Sequence, residues 1–221
     1  MQRIFITGTD TGCGKTRVSC LLIRGFQALG HRVAGFKPVA SGCEATSDGL
    51  RNEDALALID AADISLPYEQ VNPWALQPPI APHIAAAEAG MQIEPEAMAA
   101  IIRQSGADVA IIEAVGGWCV PLGDNLMLAD LARAISDDLL LVVGIRLGCL
   151  NHALMTVRQI EQDGFKLSGW IANRLDPDML MAAANINTLV TRIEAPLLGT
   201  VPFLDESKHQ KVRLSLDSLL D

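Results

Sequence analysis

Gly8-Thr9-Asp10-Thr11-Gly12-Cys13-Gly14-Lys15-Thr16 follows directly on the apolar run Ile4-Phe5-Ile6. After Lys15, apolar residues recur at Val18, Leu22, Phe26 and Leu29, a spacing that predicts an amphipathic helix. A strand that feeds a glycine-bearing loop ending in Gly-Lys-Thr at a helix start makes a phosphate cradle. The helix N-terminus offers unpaired N–H groups and the positive end of a dipole. Lys15 can reach β- and γ-phosphates, and the Thr16 hydroxyl can ligate Mg²⁺. The usual pattern puts its first glycine five positions before the second. Here that position is Thr9, and Gly8 lies one residue earlier. The order of strand, loop and helix still predicts a nucleoside triphosphate site.

Strand-like runs continue at Val33–Phe36, Asp108–Ile112, Leu139–Val143, Leu167–Ala172 and Leu197–Val201. Helical patterns lie between most of them, at Asn52–Ala61, Ile84–Ala89, Glu96–Arg103, His152–Gln162 and Met179–Ile193. This alternation predicts an α/β fold of three layers, a mostly parallel sheet flanked by helices. At 221 residues one domain over 1–221 is expected. Residues 37–95 break the rhythm: turn signals abound and no strand is predicted. So long a connection is often a substrate loop or lid.

Composition excludes several classes. The net charge is −9 and no Lys/Arg run occurs, which argues against nucleic-acid or anionic-membrane partners. No apolar run approaches ~20 residues, so no transmembrane helix is expected. The N-terminus enters the first strand at once, which does not suit a secretory signal. The five cysteines, Cys13, Cys20, Cys43, Cys119 and Cys149, are odd in number and lack Cys-x-x-Cys spacing. They suggest neither disulfides nor zinc, and a reduced, cytoplasmic protein is expected. Cys13 reads as a small residue that fits the turn, with a lowered thiol pKa near the helix start as the alternative. His31, His83, His152 and His209 show no metal-binding spacing; His83 reads as a loop residue and His152 as the opening of a helix.

Further candidates for chemistry sit at predicted strand ends. In open α/β sheets ligands bind beyond the carboxyl ends of the strands. Glu113 closes the third strand, where it can hold Mg²⁺ directly or through water, or simply be a solvated strand end. Gly116-Gly117 would let backbone approach a ligand. Lys37 ends the second strand, and alone it fits either a charge-neutralising role or an exposed strand-end lysine. Ser41 could donate to an oxyanion. Asp54 lies where Asn52 could cap a helix. Thr16, Asp54 and Glu113 match the usual Mg²⁺ count of one or two carboxylates plus phosphate oxygens and waters. Spacing alone does not bring them together.

Further segments complete a recognisable pattern. They are Gly35-Phe36-Lys37-Pro38-Val39-Ala40-Ser41-Gly42, Leu50-Arg51-Asn52 with Asp54-Ala55-Leu56, Val71-Asn72-Pro73, Pro82-His83, and Glu113 with Gly116-Gly117-Trp118. Leu147-Gly148-Cys149-Leu150-Asn151-His152-Ala153, Gly169-Trp170-Ile171-Ala172-Asn173 and Pro196-Leu197-Leu198-Gly199 follow. With the loop at 7–16, they closely resemble the dethiobiotin synthetase family, of the P-loop NTPase superclass, nearly end to end. The displaced first glycine is that family's form of the loop.

The resemblance implies ATP-dependent ring closure of 7,8-diaminopelargonate with CO₂, the penultimate step of biotin biosynthesis, with Mg²⁺. It implies that Lys37 and Lys15 serve the reaction, and that Thr16, Asp54 and Glu113 hold the metal. Gly12, Cys13, Gly14, Lys15, Thr16 and Gly116 would then cradle phosphate. Asn173, with Arg174 beside it and Pro202, Phe203 and Leu204, would meet the base. Ser41 would touch the substrate. Leu147, Gly148, Cys149, Leu150 and Asn151 would reach the substrate tail across a homodimer interface.

The chain departs from the family in three places. Gly12-Cys13 replaces a Glu-Val type pair, Ala114-Val115 a Gly-Ala pair, and Arg174 stands where an acidic residue is common, which could shift nucleotide preference. The tail near Lys208-His209 is too divergent to assign ribose contacts. Rival readings are weaker. A cobyrinate-type amide synthetase would need more chain. A ParA/MinD-like switch would need an extra lysine early in the loop, where Thr9, Asp10 and Thr11 offer none. A non-catalytic nucleotide module leaves Lys37, Ser41 and Glu113 without a purpose.

Overall fold

A computed structural model describes residues 1–203 and 212–220. In chain order its elements begin β1 (Gln2–Gly8), α1 (Lys15–Ala28), β2 (Val33–Phe36), β3 (Val39–Ser41), β4 (Glu44–Thr46) and β5 (Gly49–Arg51). Next come α2 (Glu53–Ala61), α3 (Tyr68–Val71), β6 (Trp74–Leu76), α4 (Pro82–Glu88), α5 (Pro95–Gln104) and β7 (Val109–Glu113). Then follow β8 (Pro121–Gly123), β9 (Leu126–Met127), α6 (Leu128–Ile135), β10 (Asp138–Ile145), α7 (Cys149–Gln162), β11 (Gly169–Arg174), α8 (Ala182–Val190) and β12 (Leu197–Val201).

Six of these strands form one sheet in the order β12-β11-β10-β1-β7-β2, and every neighbouring pair is parallel. The sheet is buried on both faces, which is why its strands read as unbroken apolar runs. Pleating divides their side chains. Ile4 and Ile6 of β1 pack with Val18, Leu22 and Phe26 of α1, whereas Phe5 faces the opposite core with α5, α6 and α7. Leu22, Ile23 and Phe26 are fully buried; each such side chain contributes roughly 1.5–3 kcal/mol. Three layers result, with β1 central.

Several expectations need correction. Leu29 lies beyond the end of α1 and is exposed, because the chain turns away there. Residues 37–95 do hold strands: β3 pairs with β6 and β4 with β5 in separate two-stranded ribbons. These strands are three residues long, too short to show a periodicity. α7 opens at Cys149, so His152 lies a turn inside it, and His83 sits in the first turn of α4. α8 is shorter than expected; it starts after Met181, a non-glycine residue at φ 58. The hairpin β8–β9 and helix α6 are additions.

Candidate active site

β1 ends between β7 and β10, so the loop at 9–14 leaves the middle of the sheet at its carboxyl edge. Parallel register does the rest. Ile6 aligns with Glu113, and Phe36 with Ile112, so Lys37 emerges beside Glu113 although 76 residues separate them in sequence. Asn52 caps α2 by accepting from the Ala55 N–H at 3.2 Å. That cap sets the first turn of α2, which carries Asp54 to the same point.

Four side chains meet there. Lys37 Nζ donates to Glu113 Oε1 at 2.6 Å, to Asp54 Oδ2 at 2.8 Å and to the Ala114 carbonyl at 3.3 Å. Thr16 Oγ1 lies 2.6 Å from Asp54 Oδ1 and 2.9 Å from Glu113 Oε1. Lys37 and Glu113 are buried, while the Asp54 side chain is a third exposed. Burial works to discharge the Lys37 ammonium, but the charges of Glu113 and Asp54 and their hydrogen bonds override it and hold its pKa above the ordinary range. Burial likewise opposes ionised Asp54. The Lys37 charge and the hydrogen bonds from Lys37 and Thr16 win, and its pKa is lowered. Lys15 donates to the Asp10 carbonyl at 3.2 Å, and burial pulls its ammonium below its usual range, with like-charged Lys37 adding to the effect.

These groups line a cleft of about 840 Å³. One wall is the loop at 10–16. The opposite wall is apolar, with Pro79, Ile80, Pro82, Val120 and Pro121. Ser41 faces the cleft with its hydroxyl buried and unpartnered. Gly116 and Gly117 also line it, and a Cβ on Gly117 would lie 3.4 Å from the Gly8 carbonyl oxygen. Gly12 borders the cleft with open space where a side chain would project. Gly14 adopts φ +91, and a Cβ there would sit 2.0 Å from Asn173 Nδ2, so only glycine fits.

The remaining candidate residues take different places. Cys13 is buried, packed toward Gly8 and Gly144, and its carbonyl accepts from Asn173 Nδ2 at 2.9 Å. The small-residue reading of Cys13 therefore fits the geometry. Asn173 Oδ1 is buried without a partner. Arg174 follows on the alternate face of β11. The Pro202 carbonyl accepts from Arg17 Nη1 at 2.7 Å, and Phe203 is partly exposed. Leu204 and the Lys208-His209 stretch lie outside the described residues. Leu147 is 92 % exposed and Cys149 is buried; residues 147–151, the turn before α7 and its first residues, do not line this chain's cleft.

Two supports were missed in the sequence. Asn72 is buried and donates from Nδ2 to the Lys37 carbonyl at 2.6 Å. Its Oδ1 accepts from the Tyr68 hydroxyl at 2.9 Å, and that hydroxyl in turn accepts from the Asn52 N–H at 2.7 Å. The chain of bonds fixes the Lys37 backbone and the start of α2 together. Arg146 pairs with Asp10 at 2.6 Å, tying the loop after β10 to the phosphate cradle. Polar residues in irregular segments carry no spacing signal that could have found either.

The fold and cradle define a P-loop nucleotide-binding protein. The AAA domain family model matches residues 2–211. Among solved structures, the MinC:MinD cell division complex of Aquifex aeolicus is similar at TM-score 0.60 and 17 % identity, covering 93 % of this chain and 83 % of that one. FtsY of Thermotoga maritima is similar at TM-score 0.55 and 20 % identity, covering 90 % and 60 %. These likenesses concern the fold alone. In sequence the chain is 46 % identical over 220 residues to the ATP-dependent dethiobiotin synthetase BioD of Pseudomonas aeruginosa, covering 98 % of this chain and 96 % of that one. It is 48 % identical over 201 residues to BioD of Xanthomonas euvesicatoria, with 90 % of each chain covered. The chain belongs to the family of ATP-dependent dethiobiotin synthetases, which makes it an ATP-using ligase. Among the described residues no helix is long and apolar enough to cross a membrane.

Proposed function

We propose that the chain, as one synthetase domain, converts 7,8-diaminopelargonate, CO₂ and ATP to dethiobiotin, ADP and phosphate in the cleft between the 10–16 loop and the 79–82 turn. One amine of the substrate adds to CO₂ and loses a proton, giving a carbamate. A carbamate oxygen attacks the γ-phosphorus, ADP leaves, and a carbamic–phosphoric anhydride forms. The second amine attacks the anhydride carbonyl, the C–O bond breaks, and phosphate departs as the cyclic urea closes.

The observation that carries this reading is the pair of buried ammonium groups, Lys15 and Lys37, at the phosphate end of a cleft whose other wall is apolar. Carbamate and γ-phosphate are both anions, so cations must lie between them as they meet. Lys15 suits the β- and γ-phosphates. Lys37 suits the carbamate and the transferring phosphoryl group. The free Ser41 hydroxyl can donate to the carbamate, and the apolar wall suits an alkyl chain. Alignment can supply much of the acceleration, up to roughly 7–11 kcal/mol in favourable intramolecular models. No enzyme nucleophile is required.

Mg²⁺ fits the oxygen set. Among the described residues no three His, Cys, Asp or Glu side chains cluster, so phosphate oxygens would complete the shell. Thr16 has one hydroxyl proton for two carboxylate oxygens, which leaves oxygen facing oxygen, and Glu113 Oε2 is buried without a partner. A cation relieves both. Thr16 Oγ1, Asp54 and Glu113 would hold it, and it would spread charge from the β- and γ-phosphates.

The free Oδ1 of Asn173 suits the exocyclic amine of adenine, with Pro202 and Phe203 near the base. A homodimer is supported by the exposed apolar residues Leu147, Leu180 and Met181 in turns after β10 and β11. A cytoplasmic setting agrees with five free cysteines. The test is ADP release with each substrate withheld in turn. Release should need both diaminopelargonate and bicarbonate; hydrolysis indifferent to them would defeat the reading.

A further inference from the structure

An ammonium carries three donors, and Lys37 Nζ has three acceptors around it: Glu113 Oε1, Asp54 Oδ2 and the Ala114 carbonyl. No proton is left for a further anion. The same two carboxylates, with Thr16, form the oxygen set assigned above to the metal. We propose that Lys37 is the built-in counter-cation of that oxygen set: it keeps out a free divalent cation, and gives up the carboxylates only when nucleotide phosphate arrives to receive its ammonium. The inference rests on that metal assignment and adds an order of events to it.

The electrostatics are direct. Two carboxylates and one ammonium leave a single net negative charge. A divalent cation entering beside an unmoved Lys37 would face a like charge a few ångströms away, between side chains only 4 % and 1 % exposed. Water reaches the site from the side of Asp54, whose side chain is 32 % exposed, but not from the side of Lys37 and Glu113, so the repulsion is only partly screened. Nucleotide phosphate changes the balance because it brings several negative charges and offers the ammonium new acceptors. Only the side chain has to swing, since the Lys37 backbone is pinned by its N–H to the Val71 carbonyl at 3.0 Å and by Asn72 at its own carbonyl. The exchange would leave metal on the carboxylates and Lys37 on the phosphate that is about to be transferred. Metal and nucleotide would then promote each other's binding by the same factor.

The test measures Mn²⁺ uptake by the full-length protein without nucleotide, from the electron paramagnetic resonance signal of free Mn²⁺. Lys37→Gln and Lys37→Met should each bind Mn²⁺ roughly tenfold or more tightly than wild type, the least expected from removing a nearby like charge. Adding Asp54→Asn to Lys37→Gln should abolish the gain. Equal affinity in wild type and Lys37→Gln would overturn the proposal. Stoichiometric Mn²⁺ binding by wild type alone would do so whatever the variants show, so the outcome does not hang on how well Lys37→Met folds. The measurement involves neither diaminopelargonate nor turnover. A failed synthetase assay therefore leaves it intact, and a failed exclusion leaves the synthetase reading standing.

Discussion

Replacing Lys37 by glutamine separates the chemistry from nucleotide binding. The substitution keeps an amide donor near Ala114 and the carboxylates but removes the charge. Lys37 is buried against Glu113 and Asp54, and breaking a buried ion pair by removing one partner typically costs about 3–5 kcal/mol. Asp54 is a third exposed and can rehydrate, so the low end, about 3 kcal/mol, is expected here. Loss of one preorganised donor aimed at developing charge typically lowers kcat by about 10²–10³-fold. Nucleotide affinity should change by less than about tenfold, because Lys15 and the backbone N–H groups of the cradle remain. The assay pairs steady-state turnover with calorimetric ADP binding, and urea unfolding confirms that the variant folds. Equal losses in turnover and ADP affinity would refute the reasoning and make Lys37 a nucleotide ligand only.

Gly14→Ala should cost about 1–2 kcal/mol for a left-handed alanine and displace Asn173 from the Cys13 carbonyl; ADP binding by calorimetry should weaken about tenfold or more. Asn72→Ala leaves the Lys37 carbonyl and the Tyr68 hydroxyl without their partner, a loss of about 1–3 kcal/mol. Its turnover should fall while ADP affinity holds, as read by the same pair of assays. The central ion cluster also sets the pH range of stability. Asp54, with its pKa depressed on folding, contributes fully above its ordinary 3.8, and that stability is lost as pH falls through the depressed value. Lys37, with its pKa raised, contributes fully below 10.5 and loses that contribution as pH rises through the raised value. Urea midpoints across pH should show both limbs in wild type, and Lys37→Gln should lack the part of the alkaline limb that Lys37 supplies.

The sheet was legible because its strands are buried on both faces. Val33–Phe36 and Leu197–Val201 stand where the apolar runs put them, and Glu113 and Lys37 could be placed at one edge from topology alone. The convergence of Asp54 was not legible in the spacing and came only from the family resemblance. It depends on the Asn52 cap and on the Asn72–Tyr68 bonds, which link residues through space in a segment without periodicity. The ribbons at 39–51 and 74–76 were hidden for a related reason: a three-residue strand is fixed by its partner, not by its own pattern. Helix α6 is different. Leu128, Leu131, Ala132 and Ile135 are buried at helical spacing, so the sequence does carry its signal. Gly12, conspicuous in sequence as a departure, borders the open cleft at φ +72, a left-handed conformation that favours glycine.

The anhydride step is the central claim, and oxygen transfer tests it most directly. Single-turnover reaction with C¹⁸O₂, quenched before exchange with water, should place one labelled oxygen in each phosphate released, because the carbamate oxygen that attacks phosphorus leaves with it. Phosphate without label, formed alongside dethiobiotin, would contradict the account.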